Sequence, residues 1–146
     1  MCLVLNEECL KINELCFKTA NKDIVCYKVL TRIFGTGEIK TPFANTVLSE
    51  EVMNGEKLFV AEGYPKISFR RKRPSVEYGL IHTFVTKKEA ISLYETLKRY
   101  SIDAEFFLAK CIIPKGTKYV SGIMETVKGD KKTYGSESIK FVKLYK

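Results

Sequence analysis

The sequence predicts an α+β fold, in which one main amphipathic helix over residues 87–100 packs on a mostly antiparallel sheet of about six or seven strands. Two observations favour this class over a doubly wound parallel sheet. Only one clear strand-to-helix-to-strand passage occurs, over residues 79–113. Short apolar runs separated by turn residues, which are typical of hairpins, fill residues 105–146. No repeat or linker interrupts the 146 residues, so we expect a single domain, 1–146.

The N-terminal segment allows two interpretations. Leu3 and Leu5 alternate with polar or smaller residues as in a short strand. The apolar residues and cysteines between 5 and 16 instead recur at helical spacing. We therefore expect a strand at the very start of the chain and one or two helical turns over residues 7–17.

Residues 24–33 form the clearest strand in the first half of the chain. Because side chains alternate along a strand, Lys28 shares a face with Cys26 and Leu30, and that face is largely apolar. A lysine in such a place usually extends its stem so that the ammonium reaches water. The functional alternative is a charge that points into a pocket.

Turn residues dominate the next part of the chain. Residues 35–46 are predicted to be a loop, and Ser49 to Glu51 the start of a single helical turn. Asn54-Gly55 is a strong turn signal, and residues 57–61 after it are predicted to be a strand. Residues 66–73 are followed by Pro74, which favours an exposed edge strand or a loop.

The stretch over residues 79–100 carries the strongest local signals. Residues 80–85 are typical of a buried strand, and Thr86 with Glu89 forms a capping box that starts a helix. Apolar residues then recur over residues 90–97 on one side of that helix. The single histidine, His82, lies in the strand on the same face as its neighbours two residues away.

Three more strands are predicted in the C-terminal third. The first covers residues 105–113 and stops at Pro114. The second begins at Lys118 and continues to a turn at Gly129-Asp130. The last covers residues 139–145.

Charge points to polyanions as partners. The net charge is +8, from 25 Lys and Arg against 17 Asp and Glu. Residues 66–73 hold five basic residues and no acid. Phosphates bind clustered cations and unpaired bases stack on aromatic rings, so this segment is predicted to bind nucleic acid through Lys66, Phe69, Arg70, Arg71, Lys72 and Arg73. The alternatives are a solvated loop and a surface that docks a protein partner with an acidic face. The scattered lysines over residues 110–146 are typical of a solvated surface.

Catalytic and metal-binding patterns are sparse. The glycines at 35 and 37 lack the rest of a phosphate-binding loop. One histidine and five scattered cysteines do not make a zinc site, and we expect no metal and no cofactor. A nucleophilic pair of His82 with a cysteine is conceivable, with Cys2 as partner if Met1 were removed. The commoner role of such a histidine is inside a core.

The cysteines and the hydropathy indicate a cytoplasmic protein. Five cysteines are an odd number and include no C-x-x-C pair, which favours reduced thiols. No run approaches the ~20 apolar residues that a membrane span requires. We therefore expect no membrane association.

Six short stretches together carry a resemblance. They are Met1-Cys2-Leu3, the DIVCYK run at 23–28, Pro42-Phe43, the pattern G-x-x-H-x-F at 79–84, IPKGTKY at 113–119 and YGSESI at 134–139. In these the chain resembles small uncharacterised one-domain proteins of gut bacteria and their phages. The resemblance implies a location in the host cytoplasm or in a virion, and it implies no catalytic residues.

A weaker resemblance concerns the ADP-ribosyltransferase fold. The run IIPKGTKY at 112–119 is similar to a strand near the catalytic glutamate of that family, and Tyr27-Lys28 to the start of its core. The resemblance implies that Lys28, His82 and Glu105 would be the catalytic candidates. The full motifs of the family are not present.

These observations favour a small, basic, non-catalytic binding protein that contacts nucleic acid or another polyanion through residues 66–73. The first alternative is a structural or protein-docking component, for example of a phage particle. The second is an ADP-ribosyltransferase-like enzyme.

Overall fold

The computed structural model describes residues 3–6, 10–11, 14–42, 46–68, 74–76, 79–100, 104–126 and 128–145. These residues form two helices and fourteen strands. The helices are α1 (Glu50–Met53) and α2 (Lys87–Tyr100). The strands are β1 (Leu3–Leu5), β2 (Leu10–Lys11), β3 (Glu14–Leu15), β4 (Lys18–Thr19), β5 (Ile24–Ile33), β6 (Ile39–Lys40), β7 (Phe59–Val60), β8 (Ile67–Ser68), β9 (Ser75–Val76), β10 (Ile81–Phe84), β11 (Ala104–Ile113), β12 (Lys118–Thr126), β13 (Gly129–Ser136) and β14 (Ser138–Tyr145).

Twelve of the strands form one sheet. Its order is β7-β14-β11-β5-β10-β13-β12-β1-β9-β8, with β4 beside β12 and β6 beside β5, while β2 and β3 pair separately. Every described pairing is antiparallel. The predicted fold, with about six or seven strands and one main helix, is therefore wrong in its number of strands and helices. The difference arises mainly from two-residue strands, which are too short to show a periodic pattern, and from the polar strand β13.

The two longest pairings fix the centre of the sheet. β5 and β11 pair over ten residues, from Ile24 opposite Ile113 to Ile33 opposite Ala104. β14 lies on the other side of β11, and β10 lies beside β5. Strand β5 has the bounds that the sequence predicts.

Each face of this sheet buries its own set of apolar side chains. We call the face that carries Val29, Phe84 and Leu108 the helix face, because the apolar side of α2 packs against it. The opposite face, which we call the core face, carries the largest cluster, including Cys26, Leu30, Cys111, Ile139 and Phe141. Side chains of α1 and β7 cover part of the core face.

Only one of the two side chain–backbone hydrogen bonds of the predicted capping box forms at the start of helix α2. The Thr86 hydroxyl oxygen accepts a hydrogen bond from the Glu89 backbone N–H at 3.3 Å. The Glu89 carboxylate accepts from the Thr86 hydroxyl at 2.9 Å and from the backbone N–H of Lys132. Glu89 therefore ties the first turn of α2 to β13 instead of completing the box.

The N-terminal segment differs from the prediction after its first strand. β1 lies between β12 and β9, and at Gly122 of β12 a Cβ atom would clash with the Val4 carbonyl oxygen. This close approach requires glycine. The helical turns predicted over residues 7–17 are not formed in the described part of that range, where β2 and β3 pair as a short hairpin. The predicted loop over residues 35–46 likewise includes β6.

Neither helix is long and apolar enough to span a lipid bilayer within the described parts of the chain.

Candidate functional site

Lys28, one of the predicted catalytic candidates, is a buried cation at the centre of the sheet. It is only 8% exposed and lies on the core face of β5. Its ammonium does not reach water: Nζ donates a hydrogen bond to the His82 carbonyl oxygen at 2.8 Å. Burial lowers the pKa of Lys28 from 10.5 to about 8, and the neighbouring thiols of Cys111 and Cys26 oppose that shift.

Two cysteines share the core face with Lys28, one on its own strand and one on the neighbouring strand β11. Cys26 of β5 and Cys111 of β11 are directly opposite each other, and both are free and fully buried. Burial raises the pKa of Cys26 to about 11, while a hydrogen bond with Thr83 and the charge of Lys28 oppose that shift. Burial also raises the pKa of Cys111 well above its usual value of 9.0. Both thiols therefore stay protonated at neutral pH, which makes them poor nucleophiles.

His82 contributes its carbonyl to Lys28 but turns its ring to the other face. The imidazole lies on the helix face of β10 opposite Gly135 of β13, and Val120 of β12 lies beyond it. It is 8% exposed, and its Nε2 atom has no hydrogen-bond partner among the described residues. Burial, followed by the charge of Lys28, lowers the pKa of His82 from 6.5 to about 3. A ring that stays neutral in this way does not shuttle protons near pH 7.

The structure brings two of the four catalytic candidates together and leaves the others apart. Glu105 lies opposite Arg32, four residues along β5 from Lys28, and its exposed carboxylate is 3.8 Å from the Arg32 guanidinium. Cys2 lies outside the described residues. The Lys28–His82 pair is thus an enclosed polar contact in the sheet, and no carboxylate from the described residues contacts it.

The predicted nucleic-acid-binding segment is described only at its start. Lys66 is exposed, and Ile67–Ser68 form β8 at the end of the strand order. Phe69, Arg70, Arg71, Lys72 and Arg73 lie outside the described residues.

A second basic site, which the sequence did not reveal, lies on the helix face. Lys110 of β11 and Lys143 of β14 are directly opposite each other. Two residues away along the same strands, and on the same face, Leu108 is opposite Tyr145. Two ammonium groups lie over the Tyr145 ring: Lys87 Nζ is 4.1 Å from its centroid and Lys143 Nζ 5.2 Å. We call Lys87, Lys110 and Lys143 the lysine cluster.

The lysine cluster has no acidic counterpart in the part of the chain that the structure describes. The ion pairs found there join Arg32 to Glu105, Lys40 to Glu38 and Lys57 to Glu51, and none includes a member of the cluster. Like charges directly opposite each other on a sheet are destabilising. An anion bound across the pair would remove that repulsion.

A groove adjoins the lysine cluster. It has a volume of about 730 Å³ and runs between the C-terminal half of α2 and the first half of β11. Phe34, Tyr94, Phe106 and Tyr145 supply aromatic surface to it. Because Tyr145 both lines the groove and lies beneath two lysines of the cluster, the two features form one continuous surface.

Sequence reasoning missed this surface because it depends on register. Lys110 and Lys143 are single lysines within apolar runs, and the prediction assigned them to a solvated surface. Their apolar neighbours show that each lies within a strand. Only the pairing of β11 with β14, which includes an irregularity at Lys110–Cys111, places one opposite the other.

The described residues contain no group of three or more His, Cys, Asp or Glu side chains arranged as metal ligands. Comparisons with protein-family models, with curated proteins and with solved structures find no match to this chain.

Proposed function

We propose that this protein is a non-catalytic binding protein whose ligand is nucleic acid or another polyanion. The observation that carries this proposal is the lysine cluster, in which Lys110 and Lys143 are directly opposite and Lys87 lies over the same tyrosine ring as Lys143. Residues 66–73 are a second proposed contact, on the evidence of their composition. The net charge of +8 would speed the approach of an anionic partner.

The arrangement supports a ligand of high negative charge over one that is merely polar. Each lysine that neutralises a phosphate releases counterions, so several lysines on one surface give strong binding at low salt. Lys143 and Lys87 are exposed and Lys110 is half buried, so their ammonium groups can meet a ligand without a change in the sheet. The repulsion within the pair is then relieved in the complex.

The first test replaces the cross-strand pair. In the double variant Lys110→Gln/Lys143→Gln, affinity for duplex DNA and for heparin should fall about tenfold or more at ~0.1 M salt. The slope of log affinity against log salt should become shallower by about two, because two phosphate contacts are lost. Fluorescence anisotropy across a salt series measures both quantities.

A matched control distinguishes a specific binding site from a general effect of net charge. Lys22 and Lys118 are also exposed, and replacing both by Gln removes the same charge at other places in the fold. If the control pair weakens binding as much as Lys110→Gln/Lys143→Gln, the cluster is not a site. A parallel variant, Arg70→Ala/Arg71→Ala/Arg73→Ala, tests the contribution of residues 66–73 in the same assay.

A further inference from the structure

The groove beside the lysine cluster has the chemistry of a platform for unstacked bases. Aromatic side chains from four parts of the fold line it: Phe34 after β5, Tyr94 on α2, Phe106 on β11 and Tyr145 on β14. Phe34 is 62% exposed, so its ring is accessible to a ligand in the groove. The groove has a volume of about 730 Å³, which is within the range of small-ligand sites.

Charge differs between the groove and its border. Glu95 and Glu105 lie in the groove wall, whereas the lysine cluster lies beyond Tyr145 at the border. A phosphate inside the groove would meet two carboxylates against the single ammonium of Lys98, while a phosphate at the border would meet only the ammonium groups of the lysine cluster. An uncharged aromatic base suits the groove, and a phosphodiester backbone suits the cluster.

From this we infer that the protein binds single-stranded nucleic acid, with one or more bases stacked in the groove and the backbone along the lysine cluster. This inference rests on the proposed function and makes it more specific. In a duplex the bases are paired and stacked inside the helix, so they do not reach aromatic side chains in a groove. Lys98, whose ammonium lies 5.7 Å from the Tyr94 centroid, supplies a further cation on the groove wall.

The distance between the two features fits one strand of nucleic acid. Lys110 is two residues along β11 from Leu108, which lines the groove, so about 7 Å separates them along the strand. Consecutive phosphates in a single strand are spaced by a similar distance when extended. A nucleotide whose base enters beside Tyr145 therefore has its own or the next phosphate near Lys143 and Lys110.

The experiment compares a 12-nucleotide single strand, as DNA and as RNA, with the matching duplex and with heparin. The variant Phe34→Ser/Tyr94→Leu should weaken binding of the single strands about tenfold or more, since each stacked base contributes strongly. It should leave affinity for heparin and duplex within about twofold. Tyr64→Ser, at a tyrosine that is 86% exposed and does not line the groove, is the matched control.

Further outcomes decide the inference even if one variant misfolds. Phe34→Ser alone changes an exposed side chain and should reproduce part of the loss. Titration with adenosine, which has no phosphate, should shift NMR signals of groove residues such as Tyr94 and Phe106 in the unmodified protein. If heparin binds but adenosine causes no shift and the groove variants do not differ from Tyr64→Ser, the inference is wrong and the proposed function stands. If neither heparin nor DNA binds, the proposed function fails, and the inference fails with it.

Discussion

Lys28 shows how one buried side chain both costs stability and completes a sheet. Strand β10 pairs with β5 at Phe84 and Tyr27, and two residues before Phe84 the His82 carbonyl accepts from the Lys28 ammonium. The side chain thus takes the place of a backbone donor. A buried backbone carbonyl without a partner costs about 1–3 kcal/mol, so the lysine offsets part of its own desolvation.

Replacing Lys28 by methionine should stabilise the protein near pH 7. Lowering the pKa from 10.5 to about 8 corresponds to roughly 3 kcal/mol of destabilisation by the charged form. Loss of the hydrogen bond to the His82 carbonyl removes part of this gain, which leaves about 1 kcal/mol. Urea unfolding of Lys28→Met and of the exposed control Lys22→Met measures the difference.

The stability difference between Lys28→Met and the wild-type protein should depend on pH, because only the wild type carries a titrating group at this position. Between pH 8 and 10.5 the unfolded chain keeps its Lys28 proton while the folded chain has released it, so the stability of the wild-type protein rises with pH. The advantage of Lys28→Met should therefore shrink over this range. An advantage that is the same at pH 7 and pH 10 would contradict a buried, charged lysine.

At the scale of single elements, helix α2 is held by a short set of contacts at its first turn. The Thr86 hydroxyl accepts from the Glu89 N–H, and the Glu89 carboxylate also accepts from the Lys132 N–H of β13. Thr86→Ala should lower the free energy of unfolding by about 0.5–2 kcal/mol, whereas Thr86→Ser should retain most of it. Urea unfolding measures both variants. An alanine variant as stable as the wild type would show that the cap does not contribute.

The elements differ in how well sequence predicts them. β5 and α2 are long and strongly patterned, and their signals agree with their positions. β13 was missed because Gly129–Ser136 contains a single large apolar residue, Tyr134, and is a strand by virtue of its neighbours β10 and β12. The two-residue strands β6 and β9 are defined by pairing alone, and no local pattern predicted them. In contrast, β7 lies within the strand predicted over residues 57–61, and β8 lies within the segment predicted as an edge strand or a loop.

Over the whole molecule, composition supports the proposed polyanion ligand, whereas no local pattern in the sequence predicts where on the surface a ligand would bind. Net charge is a property of composition, so a preference for polyanions follows from it directly. A site requires residues far apart in sequence to meet, and Lys87, Lys110 and Lys143 come from three elements. The same holds for Lys28 and His82, which were predicted separately and meet across β5 and β10.

The acid stability of the whole protein should depend on His82. Its strand, β10, lies mid-sheet, and its helix face joins the cluster of Leu3 and Leu80 to that of Phe84 and Ala90. A charge on the imidazole would lie where these clusters meet. The unfolded chain takes up this proton below pH 6.5, whereas the folded chain resists it until about pH 3, so falling pH favours unfolding.

His82→Gln isolates this effect, because glutamine does not titrate. The wild-type protein should lose roughly 3 kcal/mol more than the variant between pH 7 and pH 4, as followed by urea unfolding at each pH. Carboxylates titrate in both proteins, so their contribution cancels in the difference. If wild type and His82→Gln instead lose stability in parallel, the imidazole takes up its proton in the folded state with an unshifted pKa. Its enclosure in the sheet is then less complete than the structure indicates.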